Sequence, residues 1–159
     1  MTDGQAPPGW PRGVLAPGVP DWEASAAGWL LDGGWTTREQ LAINGGSYDE
    51  ALQHLRLVRQ TDAAFRAEEV ALLLAQALAA AGQQEEAGAE FAAAATRFGS
   101  FESRAEYAIW AAQRGDRATA QGLQTGLQAD MDRWSRHTRA LNQPLLRRLQ
   151  AALAQAGLA

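Results

Sequence analysis

Three stretches of this chain share one pattern, a glycine followed five residues later by an alanine: Gly46-Ser-Tyr-Asp-Glu-Ala51, Gly82-Gln-Gln-Glu-Glu-Ala87 and Gly115-Asp-Arg-Ala-Thr-Ala120. The glycines stand 36 and then 33 residues apart. A period near 34 suits two helices per repeat. The physical reason lies in the two residue types. Glycine adopts the left-handed backbone that ends one helix and turns the chain. Alanine at the start of the next helix removes side-chain bulk, so the second helix can lie close against the first.

The rest of the chain agrees with helices. From residue 21 onward no strand-type alternation appears and β-branched residues are scarce. Punctuation by glycine and caps predicts helices near 21–32, 36–44, 47–59, 62–81, 83–98, 101–114, 116–140 and 143–156. Thr36-Thr37-Arg38-Glu39 reads as a capping box. The long 116–140 segment is expected to bend or break near Asp130–Trp134. Asn142 is expected to cap the last helix, with Pro144 in its first turn. Leu145, Leu146, Leu149, Ala152 and Leu153 give that helix an apolar stripe, as a helix closing the end of a stack requires. Residues 1–20 hold five of the six prolines and are not helical. With Trp10, Val14 and Leu15 among them, they read as an arm packed across the helices. The expected organisation is therefore an arm over 1–20 and one α-helical domain over 21–159.

These hairpins resemble the tetratricopeptide repeat family. The unit 68–101 carries the pattern best, with Leu74, Ala75, Leu78, Gly82, Ala87, Phe91 and Ala94 at its positions. A later unit supplies Tyr107, Ala108, Gly115 and Ala120, its aromatic register passing to Leu123 and Leu127. An earlier unit keeps Trp35, Gly46, Tyr48, Ala51 and Leu55, but has Arg38 and Glu39 where the family has a leucine and a small residue. The family's closing proline is absent from all three. The resemblance implies an all-α fold of antiparallel helical hairpins in a short right-handed α-solenoid with a C-terminal capping helix. It also implies a module that docks a protein or peptide on the first helix of each hairpin. The residues that fall there are Glu69, Leu72, Gln76, Ile109 and Gln113, with Ala79 and Ala112 beside them. That surface has no lysine, arginine or asparagine to clamp a terminal carboxylate. An apolar or amide-bonding segment suits it better.

Composition removes several classes of function. The chain has no cysteine, and its 14 basic residues are all arginine. Thiolate metal sites, cysteine nucleophiles, Schiff-base lysines and Walker-type lysines are therefore excluded. His54 and His137 stand in no metal-ligand spacing, and Ser135 near His137 is not a catalytic dyad. The reading is of a non-enzymatic protein without cofactor or metal. No 20-residue apolar run spans a bilayer and the amino terminus lacks a leader pattern, so a cytoplasmic, membrane-free protein is expected. The lysine-free, Arg/Ala/Gln-rich composition suggests a GC-rich bacterial genome.

Charge is segregated. Residues 132–159 contain five arginines and one acid, +4, whereas residues 1–131 carry −8. Arg133, Arg136, Arg139, Arg147 and Arg148 form a candidate basic patch. It either binds an anion or neutralises the acidic body within the chain or between subunits. Two other readings stay open. Residues 36–59 resemble a helix-turn-helix, with Ala42, Gly46, Leu52 and Leu55 in its packing places and Gln53, His54 and Arg56 facing a groove. The net charge of −4 and the acids Asp49 and Glu50 argue against nucleic acid. The third reading is a structural homo-oligomer using its tryptophans and terminal arginines, for which an exposed Trp10, Trp22 or Trp134 would mark the interface.

Overall fold

A computed structural model describes Pro20, Asp21 and residues 48–158. The expected arm, the helices over 21–32 and 36–44, and Trp35, Arg38, Glu39 and Gly46 lie outside the described residues. All regular structure in the described residues is helical. The chain divides into two compact units, Met1–Gln84 and Glu85–Ala159.

In the first unit α1 (Tyr48–Thr61) packs against α2 (Ala67–Ala80). Helix α1 buries Ala51, Leu52, Leu55 and Val58. Their three- and four-residue steps form the stripe an amphipathic helix turns inward. Helix α2 buries Val70, Ala71, Leu72, Leu74, Ala75, Ala77 and Leu78, which reach round more than one side. The sequence predicts a helix start at 62, but helix resumes only at Ala67. Asp62 explains the difference. Its Oδ1 accepts from the amides of Ala64 and Phe65, both at 3.1 Å. A side chain that satisfies these amides locally favours a turn over a helix. Arg66 then takes φ 40° and starts α2.

The second unit contains α3 (Gln84–Phe98), whose first residue belongs to the preceding unit, α4 (Phe101–Gln113), α5 (Arg117–Arg133), α6 (Arg136–Leu141) and α7 (Gln143–Gln155). Helix α4 is the centre. It packs against α5 and α7, and its Trp110 meets Phe91 of α3 at 5.7 Å between ring centroids. Ala105, Ala108 and Ala111 of α4 and Ala120 of α5 are 0% exposed. Side chains this small let helix axes come close. Leu127 and Leu149 fill the remaining space, each contributing about 1.5–3 kcal/mol by burial.

The helix directions follow from the end contacts. Phe101 at the start of α4 packs on Trp134 at the end of α5, with ring centroids 4.4 Å apart, so α4 and α5 are antiparallel. Arg117 at the start of α5 donates to the carbonyl of Gly157 beyond α7, and Gln124 donates to that of Leu158. Helix α7 is therefore antiparallel to α5 and runs parallel to α4.

The turns follow the glycine reading. Gly82 and Gly115 have φ of +81° and +78°. After each, the next amide reaches back five residues, Gln83 to the Leu78 carbonyl and Asp116 to that of Ala111, both at 2.9 Å. This double closure needs a left-handed residue, which is glycine's role. The expected break in 116–140 falls at Trp134, whose backbone is extended. Ser135 starts a new helix by accepting from the amide of Thr138 at 3.1 Å. One cap differs from expectation. The Asn142 side chain makes no cap bond to α7 but donates to the Thr138 carbonyl at 2.9 Å, closing α6 instead. Pro144 does sit in the first turn of α7.

Candidate functional site

The five proposed docking residues divide between the units: Glu69, Leu72 and Gln76 on α2, Ile109 and Gln113 on α4. Leu72 and Ile109 are buried, each 4% exposed. Ala112 is buried as well. Burial leaves these three side chains little surface to offer. Glu69 is exposed and paired with Arg66 through Nε at 2.8 Å and Nη2 at 3.0 Å. Gln76 is half-buried and Gln113 exposed. On α2 the groups open to solvent are thus an acid–arginine pair and one half-buried amide; on α4 the group is one exposed amide.

The five arginines of the basic patch have different fates. Arg148 grips Glu106 with both guanidinium arms, 2.6 and 2.9 Å. Arg133 pairs with Asp130 at 2.6 Å, and Arg104 of α4 binds the other oxygen of that carboxylate. Hydrogen bonds from Arg104, and then from Arg133, hold the Asp130 carboxyl below its ordinary range. Arg139 donates to the Met131 carbonyl, which leaves its charge uncompensated. Arg136 and Arg147 are exposed and make no ion pair among the described residues. Two of the five arginines therefore neutralise acids within the chain, and three keep a cationic surface on α6 and α7. Trp134 is half-buried against Phe101. The large exposed hydrophobic among the described residues is Leu141, 69% exposed.

Sequence reading missed two buried polar residues, Ser103 and Glu106. Ser103 joins the cap of α4: its amide donates to Ser100 Oγ at 3.0 Å, and its hydroxyl contacts the Ser100 oxygens. Ser100 directly after Gly99 was the available signal. For Glu106 no local signal existed, because its partner lies 42 residues away.

Of the proposed groove-facing residues, Gln53 and Arg56 on α1 are exposed and His54 is half-buried. The preceding helix of that motif lies outside the described residues. No described helix is long and apolar enough to cross a membrane. Comparison of the chain with family models, curated proteins and solved structures found no match.

Proposed function

We propose that this chain is a non-enzymatic docking module, a short array of helical hairpins of tetratricopeptide type that binds a protein or peptide partner. The observation that carries the reading is the placement of α7. It packs on α4 and runs parallel to it, the position that the first helix of a following repeat would take. The turn glycines, Gly82 and Gly115, and the buried alanines Ala87 and Ala120 support the same reading. In such an array the first helices present the binding surface. The candidates are Glu69 and Gln76 beside buried Leu72 on α2 of the first unit and, separately, Gln113 beside buried Ile109 on α4 of the second. Amides donate and accept at once, so they suit the backbone or side chains of an uncharged segment.

Site-specific photo-crosslinking tests this. A crosslinker is placed at Gln76, at Gln113 or, as a control, at exposed Gln128 of α5, in cell extract at moderate salt with and without nuclease treatment. The expected result is one discrete protein captured from Gln76 and Gln113 but not from Gln128. Equal capture from all three positions overturns the assigned face. Binding that vanishes with nuclease overturns the docking reading in favour of nucleic acid at residues 36–59.

A further inference from the structure

Helix α6 is unusual in having no buried residue. Arg136, His137, Arg139, Ala140 and Leu141 are all exposed. A helix that buries nothing gains no stability from packing, and six residues are too few to be helical alone. The structure holds it by its ends instead. Ser135 Oγ accepts from the Thr138 amide, Arg139 is tied to the Met131 carbonyl, and Asn142 closes the last turn. The result is a fixed knob that presents Leu141 beside the arginine pair Arg136 and Arg139. Arginine is enriched at protein interfaces, and Leu141 adds exposed apolar area beside the pair.

We propose that this knob docks on the N-terminal unit of a second copy of the same chain. Charge complementarity chooses that occupant. Residues 85–159 carry 9 arginines and 8 acids, and within them the segment 132–159 is +4. Residues 1–84 carry 5 arginines and 10 acids, a net −5. The acids Glu106 and Asp130 already occupy Arg148 and Arg133. Among the described residues Arg136, Arg139 and Arg147 are left without a carboxylate, while the acid excess lies in the other unit. Bringing the basic end of one copy to the acidic unit of the next lowers the electrostatic energy of both. The inference rests on α6 and on charge, not on the repeat reading.

The test is sedimentation velocity on the full chain, at concentrations up to roughly 0.5 mM, where even weak contacts are populated. The average mass is expected to rise above the 17.0 kDa monomer at low salt. It should return toward that value near about 1 M salt, where the Debye length is only about 3 Å. Leu141→Asp, and separately Arg136→Glu with Arg147→Glu, should weaken association by about tenfold or more with an unchanged circular dichroism spectrum. Leu141 is a surface residue, so its variant tests the contact without emptying a core. A monomer at every concentration overturns the proposal, as does association that neither variant weakens. Flotation of monomeric chain with phosphatidylserine vesicles, lost in the same variants, also overturns it and assigns the knob to an anionic lipid surface.

Discussion

Arg148 of α7 holds Glu106 of α4 by two parallel bonds, Nη1 to Oε1 at 2.6 Å and Nη2 to Oε2 at 2.9 Å. The carboxylate side chain is 8% exposed and the guanidinium 36%. Removing the arginine therefore strands a buried charge, whereas removing the acid leaves a cation that still reaches water. Arg148→Met is expected to cost about 2–3 kcal/mol and Glu106→Gln about 1 kcal/mol in urea unfolding. The double variant should resemble Glu106→Gln alone, giving a coupling of about 2–3 kcal/mol. Additive losses would show that the pair contributes nothing beyond packing.

Gly88 of α3 faces the ring of Trp110, and a Cβ built there would lie 2.6 Å from Cη2. Gly88→Ala gains helix propensity of about 1 kcal/mol but must displace an indole wedged against Phe91. Overpacking of this kind costs about 1–3 kcal/mol. The expected net outcome is a lower melting temperature and a shifted tryptophan emission maximum. Trp110→Phe, which shortens the ring, should reduce the penalty of Gly88→Ala.

Gly82 and Gly115 make the opposite case. Nothing lies within 4 Å of a Cβ at either position, so an added side chain meets only the backbone penalty of positive φ. Each glycine-to-alanine change is expected to cost about 1–2 kcal/mol. Asparagine at the same place should cost less, because it tolerates the left-handed region. Chemical denaturation of the four variants checks both statements.

The carboxyl of Asp130, held low by Arg104 and then Arg133, links stability to acid. Its folded pKa lies below the unfolded value of about 3.9. Its contribution is therefore complete above that unfolded value and is lost as pH falls through the folded pKa. Melting temperatures of the wild type and Asp130→Asn should differ at pH 7 and converge at strongly acid pH. A difference that stays constant over that range would place the effect of Asp130 outside its charge.

The parts of the structure that were legible in the sequence are those written in local chemistry. Gly82 and Gly115 announced two turns because positive φ is a single-residue property. Ala87, Phe91, Ala94 and Ala120 were recognised as packing residues and are buried. Asp62 was readable in principle: an Asp–x–x pattern that satisfies nearby amides competes with a helix start, and the periodic apolar residues behind it masked the signal. How exposed each docking residue is was not legible. Periodicity puts Leu72 and Ile109 on first helices, but it does not say how many neighbours those helices have.

The residues by themselves determined that the described chain is helical, where its turns at Gly82 and Gly115 fall, and that arginine is its only strong cation. These follow from backbone sterics, helical spacing and composition, which act within a few residues. Tertiary structure alone decided which arginines are spent and which remain. Arg148 meets Glu106 across 42 positions and Arg104 meets Asp130 across 26, whereas Arg136 and Arg147 meet no carboxylate among the described residues. Coulomb attraction depends on distance in space, and only the packing of α4 against α5 and α7 sets that distance.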